Sequence, residues 1–326
     1  MFRTTFSFVL FVAATLLIPM ALAGSKTGVK IISTEGAVTA VLQTPSGSFI
    51  ETTRGPFRIT EGDCDTEICL KRETISGSAD KAPRGAVPDG KIAVSNQGDI
   101  RRAWYARPTQ RYQHCILGDC IEGGSLVVEN GNGEQFEFVL PQNQVFEDLT
   151  PRLADLDGDP ETTEVVTIRA STTRGAAVVI YGLIDGVIRE IAASSENGRP
   201  NRWLAIAAIV DQTIYFVRTP HIGGRFSSVE LGSGGIVREA NDVYLDVSNH
   251  LIGSRVMMST AFANSRGEVR VALPSQDRTR LAILGNSTRD DVNLPEPIDK
   301  AIIAVGNHLV TATESGQLLA IKTSPH

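Results

Sequence analysis

Short runs of apolar and β-branched residues recur along most of the chain, each bounded by Gly, Asn, Asp, Ser or Pro. This pattern is typical of β-strands, and no comparable helical periodicity runs through the sequence. The clearest runs start about 34 to 55 residues apart. A repeat of about 45 residues that contains several strands indicates a β-propeller. These runs are 91–94, 125–128, 164–168, 213–217, 268–273 and 308–312.

One unit shows the repeat best, because four predicted strands follow one another with short connections. Its strands are predicted at 151–154, 165–168, 176–181 and 187–192. Asp185-Gly186 separates the last two and is a strong hairpin signal, since both central residues of a type I′ turn have positive φ. The later units are predicted at 204–209, 213–217, 226–231 and 236–239; at 256–261, 269–273 and 281–284; and at 301–305, 308–313 and 317–322.

The last unit contains only three predicted strands before the chain ends. We expect residues 29–32 to supply its fourth strand and close the ring, which removes exposed sheet edges. The sequence therefore predicts an all-β fold, a β-propeller of about six four-stranded antiparallel blades, with five to seven as the range. The alternative is a pair of packed β-sandwiches, which use the same kind of short strand.

Three segments are expected along the chain. Residues 1–23 combine one positive charge, an apolar core and a small-x-small ending, which predicts a cleaved signal peptide; an uncleaved anchor helix is the alternative. Residues 24–90 are interpreted as an N-terminal segment that carries a disulfide loop, an incomplete blade or stapled appendage, and the ring-closing strand. Within it, 74–90 is rich in Gly, Ser, Pro and charge and is predicted to be a loop. The propeller repeats are assigned to residues 91–326.

Charge and hydropathy exclude two classes of protein. The chain has 37 acidic residues against 31 Lys and Arg, a formal charge of −6, so we expect no nucleic-acid partner. Only the N-terminal apolar stretch approaches the roughly 20 residues that span a bilayer, so no membrane span is expected after cleavage. Together with the signal peptide, this predicts an exported protein of the periplasm or the extracellular space.

Four cysteines occur in two similar spacings, Cys64 with Cys69 and Cys115 with Cys120. An even number in an exported chain favours disulfides, and three pairings are open to four cysteines. Two local loops are the simplest pairing. A zinc site made of all four thiolates is the alternative, although an oxidising compartment disfavours it.

One acidic loop stands out chemically, the sequence DLDGDPETTE at 155–164. Alternating carboxylates in a tight loop can form the oxygen cage that Ca²⁺ prefers, so a structural Ca²⁺ is predicted, with no organic cofactor. The alternative is a solvated acidic turn. An EF-hand is excluded because Val166 occupies loop position 12 and Pro160 replaces the turn glycine. The expected ligands are the side chains of Asp155, Asp157 and Asp159, the backbone carbonyl of Glu161, and either Thr163 or Glu164 as the closing group.

The segment PRLADLDGD at 151–159, followed by EVV at 164–166, resembles an FG-GAP/VCBS-type repeat, as found in integrin-like propellers. The whole chain is similar to exported bacterial proteins built of such repeats, over about residues 88–285. The resemblance implies a calcium-stiffened propeller with a binding role. The acidic loop survives in one unit only, because 208–212 and 263–267 lack the carboxylates. Further supporting motifs lie at 111–114, 117–119, 198–203, 218–224, 248–255 and 273–277.

Polar residues from several repeats are expected to meet on one face of the propeller. In an up-and-down blade, the turns between strands 2 and 3 share a face with the crossovers between blades. Side chains placed there would form a pocket for a small anionic or carbohydrate-like ligand. The alternative is that each one caps a blade or satisfies loop carbonyls. The residues are His114, Asp119, Arg199, Asn201, Arg202, Trp203, His221, Asn249, His250, Arg255, Asp277 and Arg278.

No Gly-x-Ser-x-Gly elbow, HExxH or Walker loop occurs in the chain. The preferred hypothesis is a non-catalytic binding module whose partner is a small polar ligand, a glycan or an envelope protein. A carbohydrate-active lyase or hydrolase is the second hypothesis and requires paired groups within hydrogen-bond reach at the axis. A scaffold for envelope proteins is the third and requires an apolar patch.

Overall fold

The computed structural model describes residues 28–75, 83–232, 235 and 237–323, and every regular element in these ranges is a β-strand. The predicted signal peptide, 1–23, lies outside the described residues. The described part of the chain contains no helix that could span a membrane. The predicted all-β class is therefore confirmed.

The strands form six antiparallel units, which we call blades 1 to 6. The first described strand, β1 (Val29–Ile32), belongs to blade 6. Blade 1 consists of β2 (Val38–Thr44), β3 (Gly47–Thr52), β4 (Gly55–Glu61) and β5 (Ile68–Arg72). Blade 2 consists of β6 (Ala93–Val94), β7 (Ile100–Thr109), β8 (Glu122–Asn130) and β9 (Gln135–Val139). Blade 3 consists of β10 (Gln144–Phe146), β11 (Arg152–Ala154), β12 (Glu164–Ser171), β13 (Gly175–Ile184) and β14 (Val187–Ala193).

The second half of the chain continues the pattern. Blade 4 consists of β15 (Leu204–Val210), β16 (Thr213–Arg218), β17 (Arg225–Leu231) and β18 (Val237–Leu245). Blade 5 consists of β19 (Thr260–Ala263), β20 (Val269–Pro274), β21 (Arg280–Leu284) and β22 (Arg289–Asn293). Blade 6 consists of β23 (Ile303–Val305), β24 (His308–Ala312) and β25 (Leu318–Lys322), completed by β1.

The two ends of the chain share blade 6. β1 pairs antiparallel with β25, in a register that places Val29 opposite Ile321 and Ile32 opposite Leu318. The predicted ring closure, with residues 29–32 as the fourth strand of the last blade, is therefore confirmed. The described residues thus form a six-bladed β-propeller, and the alternative of two packed sandwiches is excluded.

Blades 2 and 3 are joined into one nine-stranded sheet. β10 pairs with one end of β12 and β11 with the other, so together they act as one interrupted first strand. β10 also meets β8, where Phe146 lies opposite Gly123. A Cβ atom added at Gly123 would lie 2.9 Å from the Cβ of Tyr105, so this close approach requires glycine.

Three expectations about strands need correction. Residues 38–72 form a complete four-stranded blade rather than an incomplete one. Its first three strands are joined by two-residue turns, so they follow one another more closely than the repeat period used for the prediction. β22 is an additional strand of blade 5, and its sequence RDDVN is too polar to be recognised from apolar runs. The first strand of blade 5 is β19, Thr260–Ala263, later than the predicted 256–261, because the backbone N–H of Met258 bonds to the carbonyl of Asn249 outside the sheet.

Apolar side chains between neighbouring blades form the core. Val178 and Ile180 of β13 share one buried cluster with Trp203 and Phe216, so blade 3 packs face to face against blade 4. Meander order places five loops of blades 2 to 5 on the same face of the propeller. We call this the loop face, and its segments are 110–121, 194–203, 219–224, 246–259 and 275–279.

Candidate functional site

A small cavity of about 130 Å³ opens on the loop face, at the junction of blades 2, 3, 4 and 5. Its lining combines apolar side chains with several polar ones, which can together hold and orient a small molecule. Five of the residues expected on this face line it together. The complete lining is His114, Ile116, Asn201, Arg202, Trp203, Thr219, His221, Ile222 and Ile252.

Trp203 forms the inner wall of this cavity. It immediately precedes β15, is 2% exposed, and its Nε1–H donates to the backbone carbonyl of Glu147 at 2.9 Å. The indole ring stacks on His221 with ring centroids 5.7 Å apart and meets His250 edge-on at 4.8 Å. One buried indole therefore fixes the position of two imidazoles.

His114 is held on the blade 2 side of the cavity. The loop that carries it is closed by the Cys115–Cys120 disulfide, and the neighbouring Tyr112 contacts the imidazole edge-on at 6.0 Å. His114 Nδ1 lies 2.5 Å from Oε1 of Glu147, whose side chain has no exposed surface. The second disulfide, Cys64–Cys69, lies in blade 1, so the predicted pairing into two local loops is confirmed.

Burial controls the charge of the acid behind His114. It raises the pKa of the Glu147 carboxyl well above its usual range, and the adjacent Asp148 carboxylate adds to the effect. Burial also lowers the pKa of His114, assisted by the positive charge of Arg202. Both shifts favour the uncharged form of the pair, in which the carboxylic acid donates to Nδ1 and the imidazole carries its proton on Nε2.

His221 is held by a chain of hydrogen bonds on the blade 4 side. Its Nε2 lies 2.9 Å from Nδ1 of His250, and Nε2 of His250 lies 2.9 Å from the backbone carbonyl oxygen of Ser254. Burial, with smaller effects of His250 and His114, lowers the pKa of His221 to about 4. Both rings are therefore neutral near pH 7.

Arg202 supplies the positive charge at this site. Its Nη1 donates to the backbone carbonyl of Asn201 at 3.1 Å, and it forms no ion pair with a carboxylate of the described residues. The backbone N–H of Asn201 donates to the hydroxyl of Tyr112 at 3.0 Å. The guanidinium thus keeps donors for an anion that enters the cavity.

The other expected residues of the loop face do not line the cavity. Arg255 forms ion pairs with Asp119 and with Asp89, and these contacts join the 110–121 and 246–259 loops. The amide of Asn249 donates to the carbonyl of Ile206 at 3.2 Å, so this residue braces β15.

Two of the remaining residues have structural contacts elsewhere, and the third is exposed. Arg278 bonds to the carbonyl of Ile298 and pairs with Glu314 at the boundary of blades 5 and 6. Asp277 accepts from Ser275 at 2.6 Å, and this bond lowers its pKa to about 2. Arg199 is exposed at the rim of the loop face.

The acidic loop connects β11 to β12 and lies on the opposite face. Oxygen atoms of Asp155, Asp157 and Glu164 lie within 4.8 Å of one another. Burial raises the pKa of Glu164 to about 7, with further contributions from Asp157 and Asp155. Hard carboxylate oxygens at this spacing fit a Ca²⁺ ion.

Two of the other expected ligands have contacts of their own. Asp159 accepts the backbone N–H of Glu161 at 3.0 Å, which is a local turn contact. The hydroxyl of Thr163 donates to the carbonyl of Gln97 in blade 2 at 3.2 Å. The structure therefore brings together the side chains of Asp155 and Asp157 and that of Glu164, one of the two expected closing groups.

Sequence reasoning missed the buried acids near the cavity. Glu122, Glu147 and Asp148 are at most 3% exposed, and burial together with mutual repulsion raises the pKa of Glu122 to about 9. Asp148 is ion-paired with Arg152. The signal that could have found two of them is the pair Glu147-Asp148 inside the apolar run VFEDL.

A scan against protein-family models finds no match, and a search of curated proteins also finds none. Among solved structures, the chain is similar to BamB from Moraxella catarrhalis, with a TM-score of 0.26 and 10% identity over 90% of this chain and 100% of that chain. It is also similar to a mutant of NanB sialidase from Streptococcus pneumoniae, with a TM-score of 0.35 and 10% identity over 89% of this chain and 51% of that chain. This chain thus spans about half of the sialidase chain. The β-propeller class is defined by the six blades, and neither likeness carries an argument about function.

Proposed function

We propose that this protein is an exported β-propeller that binds a small anionic molecule on its loop face without transforming it. The observation that carries the proposal is the position of Arg202. It lines a cavity together with Trp203 and two neutral imidazoles, and no carboxylate of the described residues neutralises it. A carboxylate or similar anion would complete its hydrogen bonds.

Two further elements belong to this proposal. Export is supported by the two disulfides, which persist in oxidising compartments. A calcium ion in the acidic loop, as in the FG-GAP/VCBS repeats that this segment resembles, is supported by the close approach of Asp155, Asp157 and Glu164.

The proposal is tested by titrating ¹⁵N-labelled protein with acetate, propionate and isobutyrate and recording amide and indole shifts. We expect the Nε1–H signal of Trp203 to move with a saturable dependence on ligand concentration. Arg202→Met should weaken binding about tenfold, since it removes a charged hydrogen-bond donor. Arg199→Met is the matched control, because Arg199 is exposed on the same loop and does not line the cavity. Equal binding by both variants would contradict the proposal.

A carbohydrate-active lyase or hydrolase is the second candidate, and one observation favours it. His114 and Glu147 form a pair within hydrogen-bond reach, and His114 lines the cavity. Such a pair can move a proton during an elimination or a hydrolysis. The discriminating experiment incubates the protein with uronate-containing and neutral oligosaccharides and follows product by mass spectrometry. Turnover that is lost in His114→Asn would establish the enzyme and end the non-catalytic proposal.

A further inference from the structure

The hydrogen-bond chain behind His221 fixes which of its nitrogens carries the proton. The carbonyl oxygen of Ser254 can only accept, so Nε2 of His250 must donate to it. Nδ1 of the neutral His250 ring then carries no proton and accepts from Nε2 of His221. Consequently Nδ1 of the neutral His221 ring is a bare acceptor, and no described residue donates to it.

The opposite side of the cavity presents donors. Arg202 offers guanidinium N–H groups, and Nε2 of His114 carries a proton in the uncharged form of the pair with Glu147, whose Oε1 lies 2.5 Å from Nδ1. Arg202, His114 and His221 line the same cavity. A ligand that satisfies all three presents acceptor atoms on one side, where the charge of Arg202 favours an anionic group, and a hydrogen-bond donor on the other.

The size of the cavity limits the distance between these two ligand groups. A volume of about 130 Å³ is close to that of apolar cavities that hold one benzene ring, so it admits roughly six heavy atoms. A sugar acid or an oligosaccharide would have to leave most of its atoms outside. In a molecule of about six heavy atoms the anionic group and the donor are separated by few carbons, and the most compact arrangement places them on neighbouring carbons.

We propose that the pocket selects small carboxylates that carry a hydroxyl or ammonium group on the adjacent carbon, with the carboxylate bound by Arg202 and His114 and the donor bound by Nδ1 of His221. This inference rests on the proposed function, since it names the ligand class of the same site. His250 is a positioning residue in it, because it sets the tautomer of His221 and does not line the cavity.

Lactate and isobutyrate provide a matched pair of probes, since a hydroxyl in one replaces a methyl group in the other. We expect lactate to bind the unmodified protein about tenfold more tightly than isobutyrate does, as measured by NMR titration. The reason is that Nδ1 of His221 has no hydrogen-bond donor when isobutyrate is bound. Equal affinities would overturn the inference and leave the proposed anion site intact. If neither carboxylate binds, the proposed function itself fails, so the two failures are distinguishable.

His250→Phe tests the positioning role, since phenylalanine keeps an aromatic ring beside Trp203 and removes the acceptor for His221. The preference for lactate should fall below about threefold, while the affinity for isobutyrate stays unchanged. Long-range ¹H–¹⁵N spectra of the unmodified protein supply a second readout that needs no variant. They should show Nδ1 of His221 without a proton, and a proton on that atom would overturn the inference.

Discussion

Nδ1 of His114 lies 2.5 Å from Oε1 of Glu147, a carboxyl group with no exposed surface. The contact joins a disulfide-closed loop of blade 2 to the interruption between β10 and β11 in blade 3. Oε2 of the same carboxyl group is buried and has no hydrogen-bond partner among the described residues. The side chain of Glu147 thus forms one hydrogen bond among the described residues, and this bond orients the imidazole of His114, which lines the cavity.

Two substitutions of Glu147 should show whether it acts by orienting His114 or through its titratable carboxyl group. Glu147→Gln keeps a donor toward Nδ1 of His114, so we expect carboxylate binding within about twofold of the unmodified protein. Glu147→Leu leaves Nδ1 without a partner and should weaken binding about fivefold. NMR titration with lactate measures both. Unchanged affinity in Glu147→Leu would mean that His114 takes no part in binding.

The buried Glu122 should make stability fall as pH rises. Its pKa is raised from 4.5 to about 9, so the folded state binds more protons than the unfolded state between these values. The free energy of unfolding should decrease with a slope of up to about 1.4 kcal/mol per pH unit from this group. Urea unfolding of Glu122→Gln and of the unmodified protein at pH 5 and pH 8 checks this. The free energy of unfolding of the variant, relative to that of the unmodified protein, should be higher at pH 8 than at pH 5. A constant difference would show that Glu122 does not titrate in this range.

His221 should produce the opposite pH dependence. Its pKa is lowered from 6.5 to about 4, so the unfolded state binds the extra proton first. The contribution of the neutral ring to the free energy of unfolding is fully present above pH 6.5. It is lost as pH falls toward 4, again by up to about 1.4 kcal/mol per pH unit. Unfolding of His221→Gln between pH 7 and 4.5 should therefore show a shallower acid loss. Identical slopes in both proteins would contradict the buried neutral imidazole.

Local sequence signals predicted much of this fold because its strands are joined by short connections. Asp185-Gly186 lies at the predicted hairpin turn, and Asp185 has a φ of 52°. The polar strand β22 was not predicted, because its sequence RDDVN contains a single apolar residue. It forms a strand because its backbone pairs with β21, which the sequence pattern does not show. Blade 1 escaped because the period of the later repeats does not extend to it.

The candidate site was predictable only in outline. The order of turns and crossovers indicates that His114, Trp203 and His221 share a face, because that depends on the meander alone. The role of Glu147 depends on β10 pairing with two blades at once, which is a long-range contact without a local signature. Likewise, only the folded structure shows that the Asn249 side chain donates to the carbonyl of Ile206 and braces β15.

The two disulfides should differ in their effect on the pocket. Cys115–Cys120 closes the loop next to His114, whereas Cys64–Cys69 closes a loop of blade 1. Each closes a short loop and should stabilise the fold by about 2 kcal/mol. Replacing Cys115 and Cys120 by Ser should weaken carboxylate binding several-fold in NMR titrations. The matched Cys64 and Cys69 double variant should lose similar stability and keep its affinity, and a loss in both would assign the effect to stability alone.

Calcium should stabilise the mature protein through the acidic loop of blade 3. Asp155 and Asp157 lie near Glu164, so an ion would relieve the repulsion among three carboxylates. At an ion concentration 100 times the Kd, stabilisation is about 2.7 kcal/mol, which a chelator should reverse as a fall in Tm of several degrees.

Variants assign that shift to the loop. The Asp155→Asn and Asp157→Asn double variant should show no response to calcium or chelator. Asp211→Asn is the control, because Asp211 occupies the corresponding turn between β15 and β16, where no carboxylate cluster is present among the described residues. It should respond to calcium like the unmodified protein. A calcium response that survives in the double variant would place the ion elsewhere, and the absence of any response in the unmodified protein would remove calcium from the proposed function.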